Sequence, residues 1–387
     1  MASSFNFQTV PQIQVEPGAA ARLGDLMRPH NFKRVFMVTD GGLMKLGILE
    51  SALASLNSAG ISVQIFQDVV ADPPEAVVSA ALAKARDFET DLVIGFGGGS
   101  SMDVAKLIAV LFAGKQDLAD IYGIGNVKGS RLPLWQIPTT AGTGSEVTPI
   151  SIITTGETTK MGVVSPQLYA DFALLDAELT VGLPPHVTAA TGIDAMVHAI
   201  EAFTSKIKKN AYSDALAKAA LRHLAQNITR AVENGGDIEA RSGMLFGAML
   251  AGQAFANAPV AAVHALAYPL GGHYHISHGL SNSLILPHVI RFNAPEASAL
   301  YAELAAEVFS NMNTAASDLD QSLDFAERLY ELAGNLGLPT TLKACEVKEN
   351  DLAMLAEDSM KQTRLLVNNP REVKLDDALQ IYEAAYG

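Results

Sequence analysis

Apolar residues fall into two textures along this chain. In the first half, short runs rich in Val, Ile and Phe alternate with segments whose apolar positions recur every three or four residues. Residues 34–39 and 61–66 read as strands, 46–56 and 75–88 as helices, and 91–95 as a buried strand running into glycines. Strand following helix following strand requires crossover connections, which predicts a parallel sheet. Further strand-like sequence follows at residues 132–138 and 150–155.

The texture changes after Leu183, Pro184 and Pro185. From Val187 onward the periodicity is helical and alanine-rich, as at residues 213–225, 239–255, 297–309 and 318–336, with Gly and Pro largely at the breaks. The expected architecture is an α/β domain with a parallel Rossmann-like sheet over residues 1–184, then an all-α domain over 185–387. A length of 387 residues exceeds what one hydrophobic core usually organises, which also favours two domains.

Composition narrows the function classes. A hydrophobic content of 49% with 18% charged residues describes a well-buried globular chain rather than a disordered one. A net charge of -14, with no basic cluster to offset it, argues against nucleic acid as a partner. The single cysteine, Cys345, excludes an intramolecular disulfide and a thiolate-rich metal site, and suits a reducing compartment. The amino-terminal stretch lacks the basic start and continuous apolar run of a signal peptide, so the expected location is cytoplasmic, with no membrane partner.

Two groups of residues carry candidate chemistry. Asp194 and His198 are four apart in an expected helix, a spacing that turns about 400° and rises about 6 Å, so both side chains share one face. His264, His273, His275 and His278 follow in apolar, glycine-rich sequence. Together they can supply a four-coordinate carboxylate and imidazole site, which suits a divalent transition metal. An Asp/His pair at this spacing also fits a surface pair or a helix hydrogen bond.

The second group is glycine-rich. Gly95-Phe-Gly-Gly-Gly-Ser-Ser-Met-Asp-Val-Ala-Lys106 runs from an expected strand into an expected helix, where exposed N–H groups and the helix dipole favour an anion such as a pyrophosphate. Ser100 stands where the dinucleotide fingerprint has its third glycine, and a purely structural turn fits the same run. Asp103 and Lys106 also read as a helix-start acid and an i,i+3 pair. Pro138-Thr-Thr-Ala-Gly-Thr-Gly-Ser-Glu146 is a second small polar loop after a strand, the kind of position at which open α/β sheets bind ligands.

With these motifs, and with Leu286-Pro-His288 and Asn369-Pro370, the sequence resembles the iron-containing (group III) alcohol dehydrogenases, the family of lactaldehyde/propanediol oxidoreductase and 1,3-propanediol dehydrogenase, over essentially its whole length. The resemblance implies a dehydroquinate synthase-like fold and a metal held by Asp194, His198, His264 and His278. It assigns Gly97, Gly98, Gly99 and Ser100 to the cofactor pyrophosphate, Thr139, Thr140 and Thr143 to the phosphates and nicotinamide, and Lys160 and Asp40 to the riboses. A carboxylate at Asp40 would repel a 2′-phosphate, so NAD is favoured over NADP.

The implied activity is reversible hydride transfer between NAD and a small primary alcohol or diol, with Fe(II) expected and Zn(II) equally compatible with the ligands. Catalysis is expected around His264 and His278. Tyr268 occupies a position where many relatives carry a histidine considered for proton transfer, and could donate a hydrogen bond there; His273 and His275 are not family ligands, so either is a candidate, with Tyr268, for lining the pocket or relaying protons. Maleylacetate reductase and hydroxyacid-oxoacid transhydrogenase are rival activities, and a dehydroquinate synthase-like lyase is a more distant one. Relatives are commonly dimers or larger rings, so a homo-oligomer is expected.

Overall fold

The β-branched and aromatic runs of the first half form buried strands, and the segments between them cross over as helices. The structure, a computed structural model, describes residues 4–156 and 159–387. Two compact units emerge: one spans Thr9–Gly182, the other Leu183–Gly387. Residues 4–8 side with the second unit, where the Gln8 amide donates to Asn257 Oδ1 at 2.8 Å.

The first unit is built on a parallel six-stranded sheet. Its strands are β1 (Ile13–Val15), β2 (Arg34–Asp40), β3 (Ser62–Val69), β4 (Leu92–Gly97), β6 (Leu134–Pro138) and β9 (Phe172–Leu175), in the order β1-β9-β6-β4-β2-β3. All five neighbour pairings are parallel, as the alternation of elements requires. Strands β4 and β6 are buried throughout, because helices cover both faces of such a sheet. The crossovers include α1 (Glu50–Ser58), α2 (Glu75–Asp87) and α3 (Gly99–Ala113). The short strands β1 and β9 are too brief to stand out in the sequence. The strand expected at residues 150–155 joins a separate sheet, in which β7 (Ile150–Thr155) pairs antiparallel with β8 (Thr159–Val164) and β5 (Gly123–Ile124) pairs parallel with β8.

Strand order matters for function. From β2 the chain moves outward to β3, then returns past β2 to place β4 on its other side. The order therefore reverses at the β2/β4 boundary, and the carboxyl ends of strands flanking such a switch point form a crevice.

The second unit is helical: α4 (Pro185–Thr204), α5 (Ala211–Glu233), α6 (Ile238–Asn257), α7 (Ala262–Tyr274), α8 (His278–Val308) and α9 (Asp318–Asn335), followed by shorter helices. Helix α4 is buried around nearly its whole circumference and packs against α5, α6 and α8, the behaviour of a central helix. A Cβ on residue 279 would stand 2.4 Å from the Ala190 carbonyl oxygen, so Gly279 lets the first turn of α8 lie directly on α4. The helix expected to start at residue 297 instead continues α8 across a kink at Ala297, two residues after Pro295. No single helix among the described residues is long and apolar enough to cross a membrane.

Candidate functional site

Three helices of the second unit bring four side chains to one point. Asp194 and His198 project from α4, His264 from the first turn of α7, and His278 opens α8. Each offers a ligand atom, and these atoms lie within 4.8 Å of one another. Bonds of roughly 2.0–2.2 Å to one ion separate its ligands by roughly 3–4 Å, so small rotamer adjustments suffice to close the set around a cation. One carboxylate and three imidazoles fit a divalent transition metal by their chemistry. Asp194, His198 and His264 are buried; the His278 side chain keeps 32% of its surface open.

The surrounding residues fix how the ligands present their lone pairs. Glu201, one further turn along α4, accepts the Val263 amide at 2.7 Å and lies 2.5 Å from His264 Nδ1. One proton shared across that short contact occupies Nδ1 and leaves the Nε2 lone pair to the cluster, the carboxylate-histidine arrangement common at metal sites. Asn282, one turn after His278, donates through Nδ2 to Asp194 Oδ1 at 2.6 Å, and the same nitrogen stands 3.3 Å from Nε2 of both His264 and His278. The His198 ring stacks on Phe255 at 4.4 Å and on His264 at 4.8 Å between centroids.

Charge states follow from burial and from the neighbours. Burial by itself would raise the Asp194 carboxyl, but His198, His278, His264 and the Asn282 amide outweigh it and hold the group below its ordinary value. His264 is pushed well down by burial and by the two adjacent imidazoles, which keeps it neutral and able to ligate. Burial lifts Glu201 to about 7, against the opposing pull of the Ala261 and Val263 amides.

The other histidine candidates go elsewhere. His273, near the end of α7, places Nε2 3.0 Å from Asp358 Oδ2. His275 ends α7 in a left-handed conformation, φ 55°, in the turn that reverses the chain into α8. Tyr268 stays close: one turn after His264, its ring centroid is 6.0 Å from that of His278.

In the first unit the expected cofactor residues other than Lys160 gather at the carboxyl ends of β6, β4 and β2, three adjacent strands that include the switch point. Gly97 ends β4 opposite Pro138 of β6, and its carbonyl accepts the Thr139 amide at 3.0 Å. Gly98 caps α3, whose first-turn amides have no intrahelical acceptor and are free to meet an anion. A Cβ on Gly99 would come within 2.8 Å of Thr143 Cγ2, so the glycine turn and the threonine loop are packed as tightly as backbone allows. Ser100 follows in the first turn of α3, and Thr140 lies beside Gly98. This surface of small residues suits a pyrophosphate. Asp40 ends β2, and its Oδ1 accepts the Gly42 and Leu43 amides at 2.8 and 3.0 Å, which holds the carboxylate at the strand end. Lys160 lies on β8, its ammonium paired with Asp72 just beyond β3.

Glu201 and Asn282 were absent from the expected site. Both had a legible signal: Glu201 is seven residues beyond Asp194 and Asn282 four beyond His278, so each repeats the helical face of a ligand.

Comparison with known proteins agrees with this geometry. Residues 11–177 match the family described as iron-containing alcohol dehydrogenase, and residues 188–386 match the Fe-containing alcohol dehydrogenase family, C-terminal. The chain is 41% identical over 379 residues to Long-chain-alcohol dehydrogenase 1 of Geobacillus thermodenitrificans, covering 97% of this chain and 95% of that protein. The crystal structure of a 1,3-propanediol oxidoreductase superposes with a TM-score of 0.95 at 34% identity, covering 99% of this chain and all of that one. Sulfoacetaldehyde reductase from Bifidobacterium kashiwanohense, solved in complex with NAD+, superposes with a TM-score of 0.87 at 29% identity, covering 99% of each chain.

Proposed function

We propose, for a chain that belongs to the iron-containing alcohol dehydrogenase family, that Asp194, His198, His264 and His278 hold the catalytic metal and that the loops after β4 and β6 hold NAD. The protein is a metal-dependent, NAD-linked alcohol dehydrogenase, an oxidoreductase acting on CH–OH. The observation that carries the residue assignment is the convergence of one carboxylate and three imidazoles from three helices. A divalent ion held by these four residues would supply Lewis acidity toward an alcohol or carbonyl oxygen, and NAD held by the loops would supply the hydride acceptor.

The chain's own residues do the rest. Glu201 keeps the His264 proton on Nδ1, and Asn282 orients the Asp194 carboxylate. Tyr268, whose ring lies beside that of His278, is the candidate to pass a proton at the cluster, whereas His273 is engaged by Asp358. Gly98, Gly99 and Ser100 offer backbone amides to the pyrophosphate, Thr139, Thr140 and Thr143 border them, Lys160 approaches a ribose, and Asp40 disfavours a 2′-phosphate. The substrate in this reading is a small primary alcohol or diol and its aldehyde. Relatives named for long-chain alcohols, 1,3-propanediol and sulfoacetaldehyde differ in chain and charge but share an alcohol or aldehyde function. A cytoplasmic setting, in keeping with a single cysteine, and a homodimer or larger assembly complete the proposal.

The test is reconstitution. Protein stripped with chelator and reloaded with Fe(II) or Zn(II) is assayed for NADH formation from ethanol, 1,3-propanediol and a long-chain alcohol, with NADP as the alternative acceptor. Turnover should return with metal and favour NAD; undiminished oxidation by stripped protein would overturn the reading.

A further inference from the structure

Residues 258–261 link α6 to α7, and His264 lies in the first turn that follows them. Their side chains are those of Ala, Pro, Val and Ala, none of which can hydrogen-bond. Pro259 has no N–H to offer, and Ala261 begins α7 without a side-chain cap, at φ -136° and ψ -129°, neither helical nor extended. The register at which α7 starts, and with it the placement of His264, is therefore set by groups outside the link.

Three residues hold it at successive points. The Ser205 hydroxyl donates to the Pro259 carbonyl at 2.7 Å, Asn368 donates through Nδ2 to the Val260 carbonyl at 3.0 Å, and Glu201 accepts the Val263 amide. Glu201 and Ser205 belong to the end of α4, the helix that carries Asp194 and His198. Asn368 comes from 108 residues beyond Val260 and bonds both parts: its carbonyl accepts the Lys206 amide at 2.7 Å, just past α4, while its side chain holds the link. One residue thus ties the end of the helix bearing two ligands to the start of the helix bearing a third. The other Nδ2 proton goes to the Arg364 carbonyl at 3.1 Å, which fixes the orientation of the amide.

Asn368 is itself anchored. Its neighbour Asn369 exchanges two hydrogen bonds with Asn293 of α8, at 2.7 and 3.0 Å, and Arg371 donates to the Phe292 carbonyl at 2.7 Å. Asn368, Asn369, Asn293 and Ser205 are all buried, where a lost partner is not replaced by water. The Asn369-Pro370 motif of the sequence is thereby the footing of the residue before it.

We propose that Asn368, with Ser205 beside it, is a positioning residue for the metal cluster: by clasping Lys206 and Val260 it fixes the start of α7 against α4 and holds His264 in place beside Asp194 and His198. It acts through the Val260 carbonyl, four residues before the ligand. This inference rests on the reading of the four side chains as the metal site.

The experiment titrates full-length, chelator-stripped protein with Zn(II) against a competing indicator, and with Co(II), whose visible absorption reports the arrangement of its ligands. Asn368→Leu keeps the side-chain volume and removes the amide. Its Zn(II) dissociation constant should rise about tenfold and its Co(II) spectrum should change, while NAD affinity stays within about twofold of wild type. A folded Asn368→Leu protein that binds Zn(II) as tightly as wild type overturns the proposal, since a merely structural amide would lower the melting midpoint and leave metal affinity alone. Ser205→Ala frees the adjacent Pro259 carbonyl and answers the question if the first variant does not fold: Zn(II) binding should weaken severalfold, and unchanged binding overturns the proposal. Failure of the metal-site reading itself looks different, because His264→Ala would then also leave Zn(II) affinity intact.

Discussion

The Asp/His cluster of the helical unit and the glycine and threonine loops of the α/β unit, proposed to hold metal and NAD, are built from opposite materials. At the cluster, long polar side chains from three helices converge in a buried space, and Glu201 and Asn282 set the orientation of the ligands. At the loops, the surface proposed to meet NAD is backbone and small residues, shaped by what is missing at Gly98 and Gly99. A site made of side chains fails when one is removed. A site made of backbone fails when a side chain is added, and the threonine loop is tied down behind it by buried groups such as Lys106.

The strongest way to break this contrast is to delete one ligand. His264→Ala should abolish metal retention and lower turnover by about three orders of magnitude or more, yet leave NAD binding to the α/β unit within about twofold of wild type. Metal analysis beside NAD calorimetry checks this, and coupled loss of both would merge the two regions into one cooperative site. The converse is Gly99→Ala, which drives a methyl group into Thr143 Cγ2. NAD affinity should weaken about tenfold with metal content unchanged, and an unaltered dissociation constant would show that the close contact does not matter.

The smallest effect concerns stability. Burial lifts the Glu146 carboxyl from the usual 4.5 to about 7, so the folded state retains a proton that the unfolded chain releases between those values. Stability should therefore fall as pH rises from about 4.5 to about 7 and level off above that. Glu146→Gln should flatten this slope by an amount worth a few degrees in melting midpoint, and parallel melting curves across that range would show that the group titrates normally in the fold.

Much of the fold was legible because it is local. The strands at residues 34–40 and 92–97, the helix at 75–87 and the glycine turn before α3 follow from periodicity and punctuation that neighbouring residues impose on one another. The continuity of α8 through Pro295 was missed because proline reads as a break, so a helix was expected to start at residue 297, and β1 and β9 were missed because three or four residues make no pattern.

Asp194 and His198 were certain to share a face, since helical geometry settles a four-residue spacing. The glycine turn was equally certain to bare its backbone. Residue types and spacing, read as a family likeness, also singled out His264 and His278 as the remaining ligands. Their physical convergence, with His273 turned toward Asp358, depends on how α4, α7 and α8 pack and on the close approach that Gly279 permits. Glu201 behind His264, Asn282 beside Asp194 and the burial of Lys106 belong to the same level. Chain periodicity orders residues within one element, whereas contacts across elements exist only once side-chain packing has chosen the angle and depth at which those elements meet.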